Sequence, residues 1–126
     1  MLFEVPTTAV AFEIPDEWWD FCDMRSFKPQ SAYYPYDPSA ESVEVLDLRE
    51  VEPPRRDAGV VPFKKYKLVP VLLAFTSPEC ALPPIHAVKT ALGYAVHNGF
   101  HRFYASVAVG YKAIPAVVLA NDIASA

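Results

Sequence analysis

The chain has little glycine and almost no cysteine: four glycines and two cysteines, Cys22 and Cys80, in 126 residues. Two cysteines cannot build the disulfide framework of a small secreted scaffold, so a reducing, cytoplasmic setting is the expectation. Long apolar runs are also missing. The stretch Leu68 to Phe75 is far too short to cross a bilayer and carries a proline, and no basic-then-apolar leader opens the chain. Neither Gly-x-x-x-x-Gly-Lys-Ser/Thr nor Gly-x-Gly-x-x-Gly occurs, which excludes the commonest phosphate loops. No nucleophile elbow supports a serine hydrolase. The three histidines, His86, His97 and His101, lack ligand spacing on a single element, so no metal site is assigned.

Against these shortages stand 13 prolines, eight phenylalanines, seven tyrosines and two tryptophans. Hydrophobic residues make up 52% of the chain and charged residues 21%, enough for a real core and too apolar for a disordered segment. The net charge of −4 hides a division. In residues 1–62, five bases against 13 acids leave −8; in residues 63–126, six bases against two acids leave +4. Such a split points to different partners for the two halves, or to the halves meeting each other.

Residues 1–40 read as an aromatic, proline-rich arm, too short to close a core alone and expected to pack on residues 41–126. Its one helix begins at Pro15, with Asp16 and Glu17 suited to the positive end of the helix dipole and Trp18, Phe21 and Cys22 forming its apolar face. Prolines 6, 29, 35 and 38 make the remainder extended or turn-like. Val43 and Val45 alternate with Glu44 and Asp47 as in a half-buried strand. A helix is expected from Pro62 or Phe63, with Phe63, Tyr66, Leu68, Val69 and Leu72 inward, Lys64, Lys65 and Lys67 in water, and a kink or stop at Pro70. Strands follow over Leu82 to Val88 and Tyr94 to His97. Then come a helix with Phe100, Phe103, Tyr104, Val107 and Ala108 on one face, a stop at Gly110, and a strand over Ile114 to Leu119 that Pro115 should confine to an edge or a strand start. This order predicts an α+β domain with a small mixed sheet.

The chemistry concentrates in His97-Asn98-Gly99-Phe100-His101-Arg102. A strand feeds a glycine turn and a helix begins at once, so free backbone N–H groups face outward. His101 and Arg102 add positive charge where the helix dipole disfavours it, which makes sense if an anion or an acidic side chain sits there.

Leu82-Pro83-Pro84-Ile85-His86-Ala87-Val88, then Tyr94 to Ala105 with its Gly99-Phe100-His101-Arg102 turn, then Gly110 and Ile114-Pro115-Ala116-Val117, together resemble the ParB/sulfiredoxin superfamily. Val43 to Arg55 is similar to that family's first strand and its proline-arginine exit. The resemblance spans residues 43–119 and leaves the arm outside. It implies a nucleoside-phosphate site formed by Asn98, Gly99, Phe100, His101 and Arg102. Aligning Leu68-Val69 with the family's helix adds Lys64 at the lysine position and Lys67 one turn along. ATP or another nucleotide, with Mg²⁺, is the implied cofactor. Glu50 and Glu52 lie where the kinase branch has a catalytic glutamate, and with His101 they are the catalytic candidates, the two carboxylates being expected on one strand face. Phe100 occupies the position of the sulfiredoxin cysteine, so sulfiredoxin activity is not implied. The chain also carries no helix-turn-helix segment like that of the partition proteins.

Three functions follow as expectations. One is a nucleotide-binding domain that hydrolyses or transfers a terminal phosphate. A second is a non-catalytic adaptor whose arm binds a protein partner. The third is a nuclease that holds a DNA or RNA backbone on its basic half. No membrane association is expected.

Overall fold

A computed structural model describes residues 1–40, 42–54 and 63–119. Two short strands, β1 (Leu2–Glu4) and β2 (Ala11–Glu13), form an antiparallel hairpin, and helix α1 (Asp16–Phe21) follows. The main sheet holds β3 (Val43–Asp47), β4 (Val51–Glu52), β5 (Ile85–Thr90), β6 (Gly93–Asn98) and β7 (Ala113–Leu119), in the spatial order β3-β7-β5-β6-β4. Helix α2 (Lys65–Thr76) precedes β5, and helix α3 (Phe100–Val109) joins β6 to β7. The protein is α+β with a mixed sheet: β3–β7 and β5–β6 are antiparallel, whereas β5–β7 and β4–β6 are parallel. No helix among the described residues is long and apolar enough to span a membrane.

Several local expectations need correction. Pro115 lies in a central strand, not at an edge. Pairing of β7 with β5 starts only at Ala116, so at Pro115 the strand is paired on one side, with Val45 of β3, and the missing N–H is tolerated. Pro70 does not stop α2, which runs six residues past it to Thr76. Pro70 has no N–H for the Tyr66 carbonyl, but both residues face solvent, where water can serve that carbonyl. In α1 the buried ring is Trp19, while Phe21 is 67% exposed. In β3, an edge strand, Val45 is exposed and Leu46 is buried. Strand β5 begins at Ile85; Leu82 instead makes an isolated parallel bridge with Tyr36.

The arm's aromatics are interior groups. Phe12 of β2 packs edge-on against Tyr104 of α3, with 4.9 Å between ring centroids, and Phe3 lies 5.1 Å from Trp19. Tyr34 is fully buried and stacks on Phe75 of α2. The Ala32 carbonyl accepts the N–H groups of both Lys112 and Ala113, each at 2.9 Å, at the entry to β7. Residues 1–40 thus share one apolar core with the sheet and its helices.

Helix α3 ends as its sequence dictates. Gly110 adopts φ +96°, ψ +16°, and the Tyr111 N–H donates to the Ser106 carbonyl at 3.1 Å, closing a Schellman turn.

Candidate functional site

The turn before α3 is fixed by Gly99, whose φ of +125° excludes ordinary L side chains. A Cβ there would stand 2.4 Å from Cγ2 of Ile85, so the turn presses directly onto the first residue of β5. Gly99 is also the N-cap of α3, and its carbonyl accepts the Phe103 N–H at 2.9 Å. The N–H groups of Phe100, His101 and Arg102 therefore belong to the open first turn. No acidic residue stands in that turn.

Helix α2 brings its own N-terminus to the same place. Phe63, just before the helix, lies 5.7 Å from the Phe100 ring and 5.9 Å from the His101 ring, and it also packs on Tyr104. Lys64 caps α2 through its backbone carbonyl, which accepts from Lys67 and Leu68. The ammonium groups of Lys64 and Lys67 each stand 6.0 Å from the Tyr66 ring centroid. Tyr66, expected inside, is 69% exposed and serves as the shared neighbour of both. Among the described residues, neither lysine has a carboxylate within ion-pair distance.

His101 records this crowding. Burial holds its pKa below the ordinary imidazole value, and the charges of Lys67 and Lys64 lower it further. Its Nε2 atom is buried and has no hydrogen-bond partner among the described residues. An imidazole whose buried Nε2 lacks a partner, two unneutralised ammonium groups and two helix N-termini thus meet in one place. Such a cluster attracts an anion and supplies it with donors.

The other candidates fall elsewhere. Phe100 turns its ring into the aromatic cluster, 5.0 Å from Tyr104, and contributes only its backbone N–H. Asn98 is exposed at the end of β6. Arg102 is engaged from within: its Nη1 donates to the carbonyls of Pro83 and Pro84, each at 2.8 Å. The Tyr34 hydroxyl donates to the same Pro83 carbonyl at 2.7 Å; burial pushes its pKa up, against the pull of the nearby Arg102 charge. Arg102 thereby ties α3 to the prolines that enter β5 and to the arm. Replacing it with Gln is expected to lower stability by about 1–2 kcal/mol, part of the usual worth of bonds to a charged donor at a half-exposed position. A fall in the urea midpoint at unchanged m-value would show this.

Glu50 and Glu52 do not share a strand face. Glu50 ends a 3-10 turn (Leu48–Glu50), and its carbonyl lies against Gly93 at the start of β6. Glu52 pairs with Ala95. At about 3.3 Å per residue, Glu50 is some 16 Å along the sheet from Asn98 and Glu52 about 10 Å. Both are exposed. Arg55, part of the proline-arginine exit, lies outside the described residues. The Tyr104 hydroxyl donates to the Pro54 carbonyl at 2.7 Å, linking that exit to α3. Among the described residues, no three His, Cys, Asp or Glu side chains are grouped to hold a metal.

Two contributors lie outside the residues that the sequence singles out for the site. Phe63, legible there only as a core residue, seats His101, and Tyr66 stands exposed beside the lysines. The alternation of lysines around Tyr66 is the available signal, since a ring flanked by wet residues on both sides in sequence sits near the helix's polar face. No known protein-family model matches the chain, and no curated protein matches it significantly.

Proposed function

We propose that this protein binds a nucleoside phosphate where the N-termini of α2 and α3 meet. Lys64 and Lys67 would neutralise the phosphates, the first-turn N–H groups of α3 and His101 would donate to them, and the exposed Tyr66 ring would offer a stacking surface for the base. The observation that carries the reading is His101: a buried, unpartnered Nε2 beside two cations and no described anion. Arg102, bound to backbone carbonyls, orders the turn instead of holding the ligand. The described residues do not fit a protein-held Mg²⁺, so a metal would come on the nucleotide's own phosphates. The placement of Glu50 and Glu52 supports binding over phosphoryl transfer, with Glu52 the nearer carboxylate.

A thermal-shift screen of ATP, ADP, CTP and tripolyphosphate, each with and without Mg²⁺, tests the proposal. A rise in melting temperature with nucleotide is expected, and none at millimolar ligand would refute it. Proton linkage gives an independent readout. In the free protein the depressed His101 favours the neutral ring, so its contribution to stability is present above about pH 6.5 and falls away as the pH drops toward its folded value. A phosphate beside the ring favours the charged form, so binding should take up a proton near neutral pH. Calorimetry in buffers of different ionisation enthalpy should show that uptake, and His101→Gln should remove the part that the protein contributes.

A further inference from the structure

A cleft lies away from the helix N-termini, between the arm and the C-terminal end of α2. It encloses about 630 Å³, within the range of small-molecule sites. Its aromatic lining comes from Phe27 and Tyr33 of the arm, Phe75 of α2 and Tyr111 after α3. Phe75 and Tyr111 meet edge to face at 5.3 Å, and Phe27 lies 6.3 Å from each. These rings form a preset apolar wall. Burial raises the Tyr111 phenol to about 12, so it stays neutral.

Two opposite charges, Asp23 and Lys28, also line the cleft, and neither is ion-paired among the described residues. The contrast is local, because Arg25 between them is paired with Asp20. The negative end of α2 arrives beside them. Thr76, the last residue of α2, and Ser77 line the cleft, and no basic residue in the last turn complements the helix dipole there. An unpaired acid and a helix C-terminus with no basic residue in its last turn favour a ligand cation, while an unpaired lysine favours a ligand anion. With four aromatic rings lining the same cleft, we propose that it binds a small zwitterion with an aromatic side chain, such as an aromatic amino acid or a short peptide carrying one. Asp23 and the end of α2 receive the ammonium group, Lys28 the carboxylate, and the four rings the side chain.

The test titrates the isotope-labelled full chain with L-tryptophan, tryptamine, indole-3-propionate and glucose, and reads amide shifts by NMR. Tryptophan should shift amides in residues 23–33, 75–77 and 111 and leave 99–102 unmoved. Tryptamine, which lacks the carboxylate, and indole-3-propionate, which lacks the ammonium, should each bind roughly fivefold more weakly, as expected for one exposed ion pair. Lys28→Gln should abolish the preference for tryptophan over tryptamine, and Asp23→Asn the preference over indole-3-propionate. Both side chains sit at the surface, so the variants should fold. Equal binding of the three indoles, preference for glucose, an unchanged preference in the variants, or no shift at millimolar tryptophan would each overturn the proposal.

Discussion

Replacing Gly99 with alanine is expected to destabilise the protein by about 2–6 kcal/mol. Two costs combine. A φ of +125° lies where only glycine is comfortable, and holding another residue there costs about 1–3 kcal/mol. The new Cβ would also stand 2.4 Å from Cγ2 and 2.8 Å from Cβ of Ile85, a fully buried residue that cannot move aside freely, and overpacking adds about 1–3 kcal/mol. Against a typical total of about 5–15 kcal/mol, such a loss leaves a marginal fold. Gly110 supplies the control. Its φ is +96°, but nothing lies within 4 Å of the point an added Cβ would occupy, so Gly110→Ala should cost only about 1–2 kcal/mol of backbone strain. The double variant Gly99→Ala/Ile85→Ala separates the terms. Ile85→Ala alone empties core volume at about 2–5 kcal/mol, yet in combination it removes the Cγ2 clash, so the two losses should add to less than their sum. Urea denaturation checks all four proteins. Strict additivity, or equal losses at Gly99 and Gly110, would contradict the assignment of a packed turn.

What the sequence revealed, and what it hid, follows the range of the forces involved. The α3 helix was legible because its apolar residues recur at helical spacing between two glycines, and both glycines have positive φ in the structure. The α+β order was legible from the alternation of strand and helix patterns. Sheet order was not, since β7 lies inside the sheet only by long-range pairing, and Pro115 argued locally for an edge or a strand start. Two-residue β4 has too little pattern to notice; it exists because it pairs with β6 across more than 40 positions of sequence. At the candidate site, the glycine turn and His101 were readable as a positively charged helix start. The use of Arg102 was not, because its partners are carbonyls of Pro83 and Pro84, and backbone acceptors leave no mark in residue type. The same limit hid the cleft, whose walls come from three separate stretches of chain.

The second large effect concerns Lys64 and Lys67. If the phosphates lie between the two helix N-termini, Lys64→Gln/Lys67→Gln should weaken nucleotide binding by about ten- to a hundredfold, near 0.7–1.4 kcal/mol for each lost ammonium group. Both side chains are exposed and have no described acidic partner, so their removal should leave folding within about 0.5 kcal/mol of the parent. The change has a second, ligand-free signature. These lysines help hold the His101 pKa down, so the double variant should move it upward, toward the ordinary value, in an NMR titration. Lys112→Gln serves as the control: it removes an exposed charge after α3, beside the carbonyl of Ala32 and away from the α2 N-terminus, and should change neither quantity. Tyr66→Ala then divides the site into its parts. It should weaken ATP and CTP several-fold through lost stacking, while tripolyphosphate, which has no base, should bind as before. A double variant that keeps the parent's nucleotide affinity would remove the lysines from the site even if His101 shifts. In that case the charge cluster would be a local electrostatic feature of two packed helices and not a phosphate cradle.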